Sequence, residues 1–122
     1  MSYGIIIASH VEDIARGVAN LAQQAAKDVP ITFAGGTDDG GIGSSMTKIS
    51  AAIDANGADE LLAFYDLGSA KMNLDMAVEL ADKPVHVYDV ALVEGAYSAA
   101  TLAGAGLDLA GIEAQLAPLK IK

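Results

Sequence analysis

The sequence predicts an α/β fold: a doubly wound, mainly parallel four-stranded sheet with helices on both faces. Short apolar runs rich in β-branched residues alternate along the chain with longer segments whose apolar residues recur every three or four positions. Such an alternation is typical of right-handed βαβ units and a parallel sheet. The chain has 122 residues, 52% of them hydrophobic, so we expect one hydrophobic core and a single domain over residues 1–122.

The first predicted strand is the apolar run at residues 4–8, and the clearest predicted helix follows it at residues 11–25. Ser9 and Glu12 have the spacing of a capping box, in which each side chain binds a backbone N–H at the start of a helix. On this interpretation His10 is the first helical residue. The apolar positions of the helix are Val11, Ile14, Ala15, Val18, Leu21, Ala22 and Ala25.

The second, third and fourth strands are predicted at residues 31–34, 61–65 and 85–88. A glycine-rich loop at residues 35–45 follows the second strand, with five glycines among eleven residues. So many glycines before a helix indicate that the backbone passes close to another group. The alternative is that these glycines are ordinary turn residues.

Helices are predicted between and after these strands. The second has apolar positions at Ile42, Met46, Ile49 and Ile53, and the third has an apolar face of Met72, Met76 and Leu80. Two more are predicted at residues 91–105 and 109–116. Residues 119–122 form either a short extra edge strand or a tail.

The composition excludes several classes of function. Seven Lys and Arg residues stand against 16 Asp and Glu residues, for a net charge of −9, so neither nucleic acid nor an anionic membrane surface is an expected partner. The absence of cysteine excludes disulfides and thiolate sites. No apolar run is long enough for a signal peptide or a membrane-spanning helix, so a cytoplasmic location is expected.

Ligands of open α/β sheets bind at the carboxyl ends of the strands, so the segments that follow each strand are the candidate site. The first of these segments lacks the glycines of a dinucleotide-binding turn. The glycine-rich loop lacks the lysine of a P-loop, and no Gly-x-Ser-x-Gly nucleophile elbow occurs.

His10 is the main catalytic candidate, because it follows the first strand at a predicted helix start, where backbone N–H groups favour a bound anion. Asp66, after the third strand, is the natural acceptor to hold one ring nitrogen of His10. A solvated loop histidine, with Asp66 and Ser69 as helix caps, is the structural alternative. His86 lies within a strand, where a packed or interfacial histidine is favoured.

Four stretches together resemble a known family: IIIASH at 5–10, GGTDDGGIGSS at 35–45, YDLGSAKMN at 65–73 and VEGAYSAA at 93–100. They are similar to the phosphotransfer subunits of phosphoenolpyruvate-dependent dihydroxyacetone kinase, which are related to the IIA domains of mannose-type sugar phosphotransferase systems. The resemblance covers nearly the whole chain. The mannose-type relatives add a strand after the fourth helix, whereas residues 106–122 here are predicted to be mostly helical.

The resemblance implies a homodimer that accepts a phosphoryl group from phospho-HPr on His10, with Asp66 orienting the ring. The phosphoryl group then passes to ADP on a separate ADP-binding subunit, and the regenerated ATP phosphorylates dihydroxyacetone. No cofactor is expected on this chain, since ADP and Mg²⁺ belong to the partner, and no metal site is expected. By the same match, the residues that line the phosphoryl site are Ser9, Gly35, Gly36, Thr37, Gly43 and Ser69.

Two other functions stay open from the sequence: a non-catalytic acidic interaction module, and a receiver-like domain phosphorylated on Asp66. Glu12, Asp13, Asp38 and Asp39 lie near the predicted phosphoryl site. They either face outward toward partners or keep the phosphoryl-transfer potential high. The acidic surface around His10 is expected to select basic protein faces in fast, salt-sensitive encounters.

Overall fold

The computed structural model describes residues 3–122 and confirms the predicted α/β fold. Four strands and five α-helices alternate in the predicted order. The strands are β1 Tyr3–Ser9, β2 Ile31–Gly35, β3 Glu60–Tyr65 and β4 Val85–Tyr88. The helices are α1 Glu12–Ala25, α2 Met46–Ala55, α3 Gly68–Leu80, α4 Leu92–Gly104 and α5 Leu109–Leu116, followed by a short 3₁₀ helix at Ala117–Leu119.

The four strands form one parallel sheet in the order β2-β1-β3-β4. In this sheet Ala8 of β1 lies beside Ala34 of β2 on one side and Tyr65 of β3 on the other. The chain therefore crosses from β2, on one side of β1, to β3 on the other side. The crevice between the carboxyl ends of β1 and β3 is the topological switch point, where ligands of open α/β sheets bind.

A hydrophobic core lies on each face of the sheet, as expected for a doubly wound fold. Successive residues of β1 point to opposite faces, and every residue of this strand is buried. Ile5 and Ile7 pack with α1, α4 and α5, whereas Ile6 and Ala8 pack with α2 and α3. The two central strands are thus buried on both sides, so the segments that follow them start from fixed positions.

The predicted capping box at the start of α1 is wrong. The helix begins at Glu12, its N-cap residue is Val11, and no side chain caps it. Ser9 is still part of β1, where its hydroxyl accepts a hydrogen bond from Val11 N–H and donates one to Asp66. His10 consequently lies in the turn between β1 and α1 and not in the helix.

The predicted apolar face of α3 is also wrong. Met72, Met76 and Leu80 are 69%, 51% and 70% exposed, and the helix packs against the protein through Ala70, Leu74 and Ala77. Both sets have helical spacing, but the small side chains let the helix approach its neighbours closely. In the same way Ile42, predicted to belong to the second helix, is exposed in the loop before α2.

Residues 119–122 are a tail and not a strand of the sheet. The 3₁₀ helix ends at Leu119, and one isolated antiparallel bridge joins Lys120 to Val90. A backbone hydrogen bond of 3.0 Å from Ala91 N–H to the Leu119 carbonyl supports this bridge. Across the described part of the chain, no helix combines the length and apolarity needed to cross a membrane.

Candidate functional site

His10 and Asp66 meet at the switch point of the sheet. His10 follows β1 directly, Asp66 follows β3 directly, and these two strands are neighbours. His10 Nδ1 lies 2.9 Å from Asp66 Oδ1, and the two side chains are only 15% and 16% exposed. The structure thus brings together the histidine and the carboxylate that the sequence singled out.

Asp66 is held by four donors. Its Oδ2 accepts from the Ser9 hydroxyl at 2.8 Å and from the His10 backbone N–H at 3.0 Å. Its Oδ1 faces His10 Nδ1 and accepts from the Leu67 backbone N–H at 2.7 Å. Burial by itself raises the pKa of Asp66, but the hydrogen bonds from His10, Ser9 and Leu67 outweigh it, so the pKa lies below its usual value. Asp66 therefore acts as an ionised acceptor.

The carboxylate determines the tautomer of His10. An ionised Asp66 only accepts hydrogen bonds, so the proton of a neutral His10 ring resides on Nδ1. Nε2 then carries the free lone pair, and it lies against the hydroxyl of Ser69. A histidine arranged in this way has the orientation and electron pair of a nucleophile.

The start of α3 faces Nε2 of His10. Ser69 is the second residue of this helix, which begins at Gly68 without a side-chain cap. The first-turn N–H groups of a helix have no partners within the helix and carry a partial positive charge. A phosphoryl group on Nε2 would therefore lie beside a hydroxyl donor and an uncapped helix N-terminus.

The glycine-rich loop packs against His10 through its backbone. The N–H of Gly43 donates to the His10 carbonyl at 2.9 Å, and the N–H of Gly36 donates to the Ser9 carbonyl at 3.3 Å. A Cβ on Gly35 would lie 2.6 Å from the Cα of Glu12, so only glycine permits this approach of β2 to α1. Gly36 and Gly43 have positive φ values of 79° and 142°.

Thr37 stabilises the loop through hydrogen bonds inside it. Its hydroxyl donates to Asp39 Oδ1 at 2.5 Å and accepts from Gly41 N–H. Ser9 supports the aspartate directly. That Ser9, Thr37 and the three loop glycines line a phosphoryl group stays a prediction.

Sequence reasoning missed two residues that hold this loop. Lys48 of α2 donates to the carbonyls of Gly35 at 2.7 Å and Thr37 at 3.3 Å. Asn73 of α3 donates to the Ser44 hydroxyl, which donates to the Ser69 carbonyl. Asn73 ends the stretch at 65–73 that carries the family resemblance, but neither residue was given a role from the sequence, since the contacts described here join residues 11 to 29 positions apart.

The four acidic residues near the site are engaged in local contacts. Arg16 pairs with both Glu12 and Asp13, and Lys48 also reaches Glu12. The Arg16 hydrogen bond lowers the pKa of Glu12, and the Thr37 hydrogen bond lowers that of Asp39. Asp38 accepts from the Ser45 hydroxyl. Glu12 and Asp39 are therefore charged at neutral pH. All four acidic residues are exposed on the surface.

His86 lies on edge strand β4, where its Nε2 pairs with Glu60 Oε2 at 2.5 Å. It is not at the carboxyl ends of β1 and β3.

Comparisons with known proteins identify a family and several relatives of this chain. A family model described as "PTS system fructose IIA component" matches residues 4–113. The chain is 44% identical over its full length to the phosphotransferase subunit DhaM of a PTS-dependent dihydroxyacetone kinase from Lactococcus lactis, covering 99% of that protein. It is 46% identical over 98 residues to the phosphoryl donor subunit DhaM of a PEP-dependent dihydroxyacetone kinase from Listeria innocua, covering 80% of this chain and 79% of that one.

A solved structure of a protein of unknown function, EF1359, superposes on the whole chain with a TM-score of 0.86 and 34% identity and is itself 98% covered. The fold is thus shared by a solved relative, and the family assignment rests on the sequence matches. The chain belongs to the mannose-type IIA family, among the DhaM phosphotransfer subunits of phosphoenolpyruvate-dependent dihydroxyacetone kinase.

Proposed function

We propose that this protein accepts a phosphoryl group from phospho-HPr on Nε2 of His10 and passes it to ADP bound on the ADP-binding subunit of dihydroxyacetone kinase. The observation that carries the proposal is the orientation of the His10 ring. Nδ1 is held by Asp66 at 2.9 Å, so Nε2 presents its lone pair toward Ser69 and the uncapped start of α3.

The first transfer is a displacement at phosphorus. Nε2 of His10 attacks the phosphoryl group of HPr, and the new Nε2–P bond forms as the carrier's P–N bond breaks. The carrier nitrogen leaves with the electron pair of that bond. His10 keeps its proton on Nδ1, and the Asp66 carboxylate stabilises the positive charge that the ring gains.

The second transfer reverses these roles. A terminal phosphate oxygen of ADP attacks phosphorus, the Nε2–P bond breaks, and its electron pair returns to Nε2. ATP forms on the partner, which also holds the Mg²⁺, so this scheme requires no cofactor on the present chain. Positioning and charge stabilisation supply most of the catalysis of such transfers.

Both partners would dock on the surface around His10. Three large apolar side chains, in the loop before α2, in the turn after β3 and in α3, are exposed: Ile42, Leu67 and Met72. The chain has a net charge of −9. We expect the transfer rate from phospho-HPr to fall several-fold between about 50 and 300 mM salt, because screening weakens attraction to a basic partner. A rate independent of ionic strength would contradict the proposal that the negative charge attracts the phosphoryl donor.

The family resemblance also supports assembly as a homodimer. Light scattering of the purified protein tests this: a mass of two chains is expected, and a monomer at all concentrations would contradict it.

The deciding experiment is intact-mass spectrometry after incubation with phosphoenolpyruvate, enzyme I and HPr. The wild type should gain one phosphoryl group, mapped to His10. His10→Gln should gain none, and His86→Gln, the matched control, should be labelled like the wild type. An acyl phosphate on Asp66 would instead support a receiver-like domain, and an unmodified wild type would support a non-catalytic interaction module.

A further inference from the structure

We propose that Lys122 is a positioning residue for phosphoryl transfer, acting on His10 through the backbone that carries Asp66. This inference rests on the proposed function. The Nζ of Lys122 donates to the Tyr65 carbonyl at 2.7 Å and to the Asp66 carbonyl at 3.0 Å. It also lies 4.2 Å from the centre of the Tyr65 ring. One cation therefore holds both carbonyl groups at the end of β3.

Asp66 needs such support because it lies outside the strand. The β1–β3 pairing ends at Tyr65, and one further backbone bond, from Asp66 N–H to the Ala8 carbonyl, measures 3.2 Å. The chain then turns through Leu67 into α3. The Asp66 side chain must nevertheless meet the donors of Ser9, His10 and Leu67 together. A small shift of its backbone would move both carboxylate oxygens and the His10 ring with them.

Lys122 is in turn held in place by a cluster of three residues behind Asp66: Tyr65, Lys71 and Asp89. The Tyr65 ring is buried under Lys122, and its hydroxyl donates to Asp89 Oδ1 at 2.5 Å. Lys71 of α3 pairs with the same Asp89 oxygen at 2.9 Å. The tail that carries Lys122 is attached to the residue that follows β4 by a hydrogen bond from Ile121 N–H to the Asp89 carbonyl. The cluster thus joins the ends of β3 and β4, the start of α3 and the tail.

The Lys122 side chain loses part of its hydration in this position. Burial lowers the pKa of Lys122, while the neighbouring Asp66 and Asp89 carboxylates act in the opposite direction. Lys122 is exposed, but hydrogen bonds from an ammonium group to carbonyls are stronger than neutral ones. A surface lysine without a structural role would be expected to point into solvent, whereas Lys122 binds the carbonyls of Tyr65 and Asp66.

Lys122→Met tests the proposal, with Lys120→Met as the matched control. Lys120 lies in the same tail, and its substitution removes the same charge while leaving the carbonyls of Tyr65 and Asp66 bound. We expect Lys122→Met to lower the maximal rate of transfer from phospho-HPr about tenfold with KM for phospho-HPr unchanged, since small misplacements at a reacting centre slow the chemical step. Lys120→Met should stay within about twofold of the wild type, and Lys122→Arg should recover most of the loss.

A second measurement separates positioning from a general loss of structure and needs no phosphoryl donor. The proton of His10 Nδ1 is detected by NMR when the bond to Asp66 protects it from exchange with water. In Lys122→Met we expect this resonance to broaden or disappear, while the thermal unfolding midpoint changes little; in Lys120→Met it should persist.

A wild-type rate and an intact Nδ1 resonance in Lys122→Met would overturn the proposal. So would a loss of the resonance only in step with global unfolding. If the wild type were not phosphorylated on His10, the proposed function would fail, and the NMR comparison would still decide whether Lys122 positions the pair.

Discussion

The two histidines of this protein show how position decides chemistry. Both are paired with a carboxylate: His10 with Asp66 after strands β1 and β3, and His86 of edge strand β4 with Glu60 at the start of β3. For His10 the carboxylate binds Nδ1, and Nε2 faces a helix start. For His86, which lies within strand β4, the carboxylate binds Nε2. A histidine–carboxylate pair therefore becomes a candidate nucleophile only where the second nitrogen opens onto an anion site.

The largest expected difference between the two pairs is the effect of removing each carboxylate. Asp66→Ala should slow transfer from phospho-HPr about 100-fold, because the ring loses its tautomer and its orientation. Glu60→Ala should leave the rate within about twofold. Stopped-flow or quench-flow kinetics of both variants measures this, with circular dichroism as the control for folding. Equal rates in Asp66→Ala and the wild type would remove the proposed role of Asp66.

A smaller effect is expected from the group that faces Nε2. Ser69→Ala should slow the transfer about tenfold, since one hydroxyl donor to the phosphoryl oxygens is lost while the start of α3 remains. Ser98→Ala, at a half-buried serine of α4, is the control and should be unaffected. If both substitutions had the same small effect, the contact between Ser69 and Nε2 would have no part in transfer.

The smallest expected effect is on stability against pH. The pKa of Asp66 is lowered in the folded protein, so the unfolded chain binds more protons than the folded one in acid. The contribution of the carboxylate is complete above its unfolded pKa near 3.8 and is lost as the pH falls through the lower folded value. The difference in the free energy of unfolding between the wild type and Asp66→Asn should therefore stay constant above about pH 5 and shrink as the pH falls from there to about pH 3 and below.

Urea unfolding at several pH values measures that difference. Glu60→Gln serves as the comparison from the second pair. A difference between the wild type and Asp66→Asn that stayed constant below about pH 5 would contradict the hydrogen-bonded, ionised state of Asp66.

Sequence patterns predicted the elements well where packing demands leave few choices. Buried parallel strands need continuous apolar runs, so β1, β3 and the order of elements were correct. The helix faces were harder, because α3 carries two sets of residues with helical spacing. The set with the longer side chains, at Met72, Met76 and Leu80, is exposed. The space between the helix and the sheet fits the other set, Ala70, Leu74 and Ala77.

The site was predicted in part for the same physical reason. His10 and Asp66 follow central strands, and the carboxyl ends of parallel strands meet at one edge, so their proximity could be inferred. Ser9 was misread as a helix cap because a capping-box spacing does not reveal that a neighbouring strand supplies a carboxylate. Lys48, Asn73 and Lys122 contact residues far away in the chain, and no local spacing predicts those contacts.

The sequence by itself determined the alternation of strands and helices, the acidic charge and the histidine at the end of the first strand. These features follow from local spacing and composition, which are properties of the chain whether or not it is folded. The tertiary structure decided which nitrogen of His10 is free, because that depends on where Asp66 and Ser69 lie after β1 and β3 pair. It also decided that a tail lysine contacts the backbone of the same aspartate, because that contact exists only once the tail has paired with the segment after β4.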